Sequence, residues 1–461
     1  MSSEDHDQKD LDSIPLSNYL ETVIPVEDIR DYASLKRIHS IDFVKGLAII
    51  MIIGAHAAGS WMNSEWIFFY GICYTVLDIV GPSLFVFLSA LSVVFSIKKK
   101  QTKGALSEKI IRNRILSRGG TIIFIGMLFN IFSFEFTIAG YPFPLNLWGW
   151  NILMFIGFSQ IFSLYALKLG KLTRAMIGLI IIFTSDGIRE FLFIGKEAGN
   201  PIITFFHYIV VSPSPMTPLL PWLAICFIST IFGELLHEAM IGGRKKDYTH
   251  LFRVFMLWGL IFVIGGIWLG REIYVPGDIW DIAKYNHIGT LPLEEYPLIS
   301  LLADMNSQMF FPDIRYPGMW EFLIRGRGPN MIYDLGAGLL LIGICFYIID
   351  IKEKMNYFIS MLKYYGRVSL SLFLVHYIFI TLFFRSLDIV LYFIVVISYI
   401  GFMGFFLFVW NEFYNGVGSP EWIMIQIGRI GQKTGQSVKK EIYVIEEDIK
   451  ESVQKLKHKH D

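Results

Sequence analysis

Ten stretches of this chain are apolar over the length, or nearly the length, needed to cross about 30 Å of hydrocarbon. They cover residues 41–60, 67–97, 119–137, 147–167, 172–193, 217–238, 252–270, 331–351, 366–384 and 389–410. The second is long enough to tilt or to extend past the bilayer. The fifth is the weakest, because Asp186, Arg189 and Glu190 interrupt its end. The expected fold is all-α: a polytopic integral membrane bundle of about ten transmembrane helices. Composition agrees, with 54% hydrophobic and 17% charged residues, where a soluble domain carries about 25% charged.

Forty Lys+Arg balance forty Asp+Glu, so net charge says nothing about partners. The distribution says more. Basic residues follow spans two (Lys98, Lys99, Lys100, Lys103, Lys109, Arg112, Arg114, Arg118), four (Lys168, Lys171, Arg174), six (Arg244, Lys245, Lys246) and eight (Lys352, Lys354, Lys363). The loops after spans one, three and nine are short and poor in Lys and Arg. By the positive-inside rule the basic loops and both termini are cytoplasmic. Residues 1–36 read as an acidic, disordered cytoplasmic arm without a cleavable signal peptide. The membrane domain runs over 37–415, with a long outer loop at 271–330 that is too polar to span and either caps a cavity or connects. In the tail, 416–461, Val438, Ile442, Ile445, Ile449, Val453 and Leu456 recur at helical spacing. Two readings stand there: a coiled coil making a homo-oligomer through 438–456, or an amphipathic helix on the cytoplasmic face.

Ionisable side chains inside apolar spans are costly and face a bundle interior or a wet cavity. His56 lies within the first span, and imidazole is the side chain suited to moving protons near neutral pH. It either catalyses or is hydrogen-bonded within the bundle. Asp42, some 21 Å back along the helix, is too far to touch it. His376 and Asp78 pose the same choice in spans nine and two. Asn130, Asn151 and Gln160 either tie helices together or line a pocket. Asp186, Arg189 and Glu190 pair with one another or hold a polar acceptor at the outer side. Trp222, after Pro221, reads as an interfacial anchor. Cys73, Cys226 and Cys345 all fall in spans, as buried small residues and not as a disulfide. No metal-ligand spacing, Walker loop or dinucleotide fingerprint is present.

Several motifs resemble those of the transmembrane acyltransferase superfamily. Arg37, Ser40, Asp42, Gly46 and Ala48 match its opening signature, with Lys45 where an Arg is usual. Leu77 to Ser89 is similar to its second span, Arg112, Arg114, Arg118 and Gly119 to the basic entry of span three, and Trp150 to Gly157 to span four. Pro218, Pro221, Trp222 and Gly233 resemble a later span, and Gly366, Arg367, Ser369 and His376 the late one. In order, these motifs cover about 37–410. The nearest branch resembles heparan-alpha-glucosaminide N-acetyltransferase, with the acyltransferase-3 and YeiB-like groups close by. Two departures stand out. The histidine that the lysosomal branch places before its span-two Asp is missing between Trp66 and Thr75, although Asp78 and Pro82 remain. Lys45 keeps the charge of an Arg but loses its bidentate fork.

The resemblance implies transfer of an acyl group, usually acetyl from cytoplasmic acetyl-CoA, to a glycan or lipid-linked sugar hydroxyl or amine at the outer side. It implies His56, Asp78 and His376 as catalytic residues, and Lys45, Arg112, Arg114, Arg118 and Arg367 as holders of the CoA phosphates, without a metal. Asn151, Asp186 and Arg189 are the expected acceptor contacts, and the cell membrane the expected location. Positive-inside topology alone also accounts for the arginine cluster. A transporter or flippase using buried His and Asp as a proton relay is the rival class, and an oligomerising scaffold a third.

Overall fold

The computed structural model describes residues 38–63, 80–102, 108–132, 147–211, 218–242, 244–272, 320–323, 326–379, 382–383, 386–414 and 416–430. Asp78, the N-terminal arm, most of the outer loop and the 438–456 repeat lie outside them. In chain order the helices are α1 (His39–Trp61), α2 (Pro82–Thr102), α3 (Glu108–Phe132), α4 (Ile152–Ala166), α5 (Lys171–Glu197), α6 (Pro201–Val210) and α7 (Leu219–Gly242). Then come α8 (Lys245–Leu269), α9 (Gly328–Phe346, continued by a π-helical turn Tyr347–Ile351), α10 (Tyr357–Arg367), α11 (Ser369–Phe379), α12 (Ile389–Tyr414) and α13 (Pro420–Ile430). Among the described residues no strand forms; one isolated parallel bridge joins Met62 to Leu387.

Each of the ten expected spans contains a helix, but they are not alike. Among the described residues six are long and apolar enough to cross a membrane: α1, α3, α7, α8, α9 with its π turn, and α12. The apolar part of α2 (Pro82–Phe95) and all of α4 are shorter. The expected ninth span, 366–384, is not one continuous helix. The chain breaks at Val368 and α10 and α11 meet at 83°. A close helix crossing accounts for this. A Cβ on Gly46 would strike the carbonyl of Leu362, and one on Gly366 the carbonyl of Asp42. The backbones of α1 and α10 therefore touch, and α10 is held across α1 until the chain turns. Gly119 and Gly157 make the same kind of contact between α3 and α4. Small residues permit such approach where lipid offers no hydrophobic drive between helices.

The surface is inverted relative to a soluble protein. Phe183 on α5, Ile264 and Trp268 on α8, and Ile397 and Phe405 on α12 are each more than 60% exposed, as expected where hydrocarbon is the solvent. Inside, Trp61, Trp150 and Trp222 are fully buried. Trp222 is thus a core residue packed on Phe155, not the interfacial anchor expected. Its place between α4 and α7 buries the ring that a helix end would have presented to headgroups. Cys226 and Cys345 are buried free thiols.

Helix starts are closed by carboxylates from elsewhere in the chain. The amides of His39 and Ser40 donate to Asp350, at 2.9 and 3.0 Å, from the end of α9. Ser83, in the first turn of α2, donates its hydroxyl to buried Asp334 of α9 at 3.0 Å. Ser371, in the first turn of α11, donates its amide to Glu421 of α13 at 2.9 Å. The first amides of a helix have no intrahelical acceptor and carry a positive partial charge. Carboxylates stabilise them and lock neighbouring helices in register.

Candidate active site

Two histidines from opposite ends of the sequence meet inside the bundle. His56 Nδ1 lies 2.9 Å from His376 Nε2. The rings are nearly parallel, at 17° with centroids 5.2 Å apart. His376 is fully buried and His56 half-buried. Their walls are aromatic: Tyr377 lies 5.2 Å from His56 and 4.4 Å from His376, Phe373 packs on both imidazoles, and Phe129 closes on Tyr377.

The hydrogen bonds fix which nitrogens carry protons when both rings are neutral. His376 Nδ1 sits 3.2 Å from the carbonyl of Leu372. A carbonyl only accepts, so Nδ1 must hold the proton and Nε2 the lone pair. His56 Nδ1 then donates to that lone pair, leaving Nε2 as the basic nitrogen of His56. One imidazole thereby orients the other. Tyr399 donates its hydroxyl to the carbonyl of His376, and Tyr392 to that of Gly54 at 2.8 Å, two residues before His56. Both histidine backbones are thereby tied to α12.

The expected donor-binding residues lie on three helices, Lys45 near the start of α1, Arg367 at the end of α10 and the arginine cluster on α3. Lys45 donates to Ser92 of α2 at 2.9 Å. The Gly46–Gly366 crossing places it next to Arg367, which is half-buried at the α10–α11 break. On α3, Arg112 and Arg118 are exposed and Arg114 half-buried. Arg118 Nε donates to Met424 Sδ of α13 at 3.3 Å.

The expected acceptor contacts divide. Asn151 is buried; its amide donates to the Gly126 carbonyl at 2.8 Å and to Asn130, and its Oδ1 caps the Met154 amide at 2.9 Å. Arg189 is completely buried. It pairs with Asp186 and donates to the carbonyls of Leu220, at 3.1 Å, and Gly326, at 2.9 Å. Leu220 offers that carbonyl because its backbone is extended, not helical. Both residues thus act within the bundle, and of the three only Asp186 is part-exposed.

Asp334, Asp350, Glu421 and the buried Arg174–Glu234–Lys98 cluster had no place in the sequence-based site. Glu234 accepts from Lys98 at 2.7 Å and also from Arg174. A carboxylate inside an apolar span was the available signal for Asp334 and Glu234; Asp350 and Glu421 lie at span or tail margins and gave none. Among the described residues, no group of His, Cys, Asp and Glu could hold a metal ion.

A bundle of apolar helices, six of them long enough to span, with a hydrogen-bonded histidine pair inside it, defines a polytopic integral membrane protein. Residues 37–265 match the family model described as heparan-alpha-glucosaminide N-acetyltransferase, catalytic. That match, from α1 into α8, covers just under half of the chain and supports an acetyltransferase-like superfamily. No curated protein matches it. His56 lies inside the matched segment; Arg367 and His376 lie beyond it.

Proposed function

We propose that this protein is a membrane-embedded acyltransferase moving an acyl group, acetyl in the first instance, from cytoplasmic acetyl-CoA to a hydroxyl or amine on a glycan or lipid-linked sugar at the outer side of the cell membrane. The observation that carries the reading is the 2.9 Å His56–His376 pair in a chain whose matched segment is of an acetyltransferase family. Arg112, Arg114 and Arg118, with Lys45 and Arg367, hold the CoA phosphates; several cationic donors suit a pyrophosphate and a 3′-phosphate. The pantetheine arm enters the bundle and presents the thioester near His56.

Transfer then needs one base. The acceptor oxygen or nitrogen attacks the thioester carbonyl while His56 Nε2 takes its proton. Collapse of the tetrahedral adduct breaks the C–S bond, and the CoA thiolate leaves with that proton from His56. His376 stabilises the imidazolium by accepting from Nδ1. Asp186, part-exposed midway along α5, is the residue that remains for the acceptor side.

Purified protein in lipid nanodiscs, given radiolabelled acetyl-CoA and a panel of amino sugars and glycans, tests this. Wild type is expected to release CoA and label an acceptor, and His56→Ala to do neither. No CoA release with any acceptor, together with substrate flux in proteoliposomes, would replace the enzyme with the transporter.

A further inference from the structure

The short helix α13 joins two parts of the site that the reaction scheme leaves unconnected. Glu421, its second residue, is only 7% exposed. One carboxylate oxygen accepts the Ser371 amide at 2.9 Å and the other accepts the Ser371 hydroxyl. Met424, one turn further on, receives Arg118 Nε. One face of α13 therefore grips the helix that carries His376, and the same face touches the helix that carries the arginine cluster.

The grip falls at a sensitive place. Helix α11 starts directly after the 83° break, so α10 does not continue into it. The amide of Leu372 is the first to close onto Val368, at 3.0 Å, so Ser371 is among the amides without an intrahelical acceptor. Its neighbour Leu372 supplies the carbonyl that holds the proton on His376 Nδ1. A carboxylate accepting from that first turn satisfies donors that the helix leaves open and complements the positive end of its dipole.

We propose that Glu421 is a positioning residue for the histidine pair: it clamps the first turn of α11 and so fixes, through the Leu372 carbonyl, the orientation and proton arrangement of His376 and His56. The inference rests on the acyl-transfer reading for its kinetic consequence, and on geometry alone for its spectroscopic one. The contact of Met424 with Arg118 makes the clamp continuous with the donor-binding face.

The test uses the full chain in nanodiscs, with ¹⁵N-labelled histidine, as wild type, Glu421→Ala, Glu421→Gln and Ser371→Ala. For Glu421→Ala, kcat is expected to fall about 10- to 100-fold, as for a catalytic group displaced by an ångström. KM for acetyl-CoA stays within about twofold, and the ¹⁵N spectrum changes from Nδ1-protonated rings to mixed tautomers. Glu421→Gln keeps an acceptor for the Ser371 amide and recovers most of kcat. Ser371→Ala loses only the hydroxyl bond and falls less than Glu421→Ala. Unchanged tautomers in Glu421→Ala overturn the proposal, whether kcat holds or falls. If wild type transfers no acyl group, the functional reading fails, while the ¹⁵N spectra still decide the positioning role.

Discussion

Removing the imidazole of His376 tests the pair most directly. His376 gives the Nδ1–H of His56 its acceptor inside walls of Phe129, Phe373 and Tyr377. Losing the partner of a buried donor costs about 1–3 kcal/mol, or roughly 5- to 150-fold in rate at about 1.4 kcal/mol per decade. The same loss frees the His56 ring to turn, so the upper part of that range applies, and kcat should fall about 100-fold. Removing the base itself, in His56→Ala, should cost about 10²- to 10⁴-fold. Because His376 acts only through His56, the double variant should be no slower than His56→Ala, as for groups that work as a unit. His376→Phe is the better single variant, since it fills the buried volume and isolates the hydrogen bond. Single-turnover acetyl transfer under saturating acetyl-CoA gives the three rates. Losses that multiply in the double variant, or His376→Phe with wild-type kcat, would refute the coupling.

Three further outcomes follow from packing and charge. Gly46→Ala drives a Cβ into the Leu362 carbonyl, a rigid backbone atom, whereas Gly401 has nothing within 4 Å of its Cβ position. The first should cost about 3 kcal/mol, the upper end of overpacking, and melt far below Gly401→Ala in detergent; equal melting temperatures would show that the helices can part freely. Glu234→Gln leaves Arg174 and Lys98 without their shared carboxylate and should destabilise by about 3–5 kcal/mol, read as lost thermal stability; an unchanged melt would contradict the burial. His207 sits on α6, outside the spanning segments, buried with no hydrogen-bond partner at either ring nitrogen. Burial first, and the charge of Lys196 second, push its pKa down from 6.5 to about 4. Between those values the unfolded chain binds more protons, so stability must fall as pH drops from 6.5 toward 4; His207→Phe should flatten that slope in pH-dependent melts, and an identical slope would exclude His207 as its source.

The spans were legible because lipid imposes a simple rule on composition. His56 was legible because a lone imidazole in an apolar run is conspicuous. Its pairing with His376, 320 positions away, depends on where α11 crosses α1, and that is set by Gly46 and Gly366. Those glycines stood in the sequence as motif letters; the backbone contact is what they permit. The break at Val368 had no proline to announce it, since its cause is the neighbouring helix. The trans caps were hidden for the same reason. Asp350, Asp334 and Glu421 are charges at the margin of, or lone acids within, apolar segments, and their role exists only once another helix start lies beside them. Asn151 and Arg189 looked available for a substrate because their partners are largely main-chain carbonyls, which side-chain patterns do not display.

The way α1 is held also weighs between enzyme and transporter. Its first amides are bonded to α9 through Asp350, and its N-terminal third is pressed on α10 at Gly46 and bonded to α2 through Lys45. Its C-terminal third is bonded to α12 through Gly54 at 2.8 Å, and the carbonyl of Trp61 accepts the amide of Leu387 at 2.8 Å. His56 lies between those last two contacts. Alternating access rocks one bundle against another around a central site, and here it would have to shear α1 from partners at both ends while keeping the 2.9 Å histidine pair. Acyl transfer asks for the opposite property: a base held still by its supporting bonds while donor and acceptor come to it. On the proposed reading, a half-buried base with a bonded partner, on a helix tied at both ends, suits substrates that move and residues that do not.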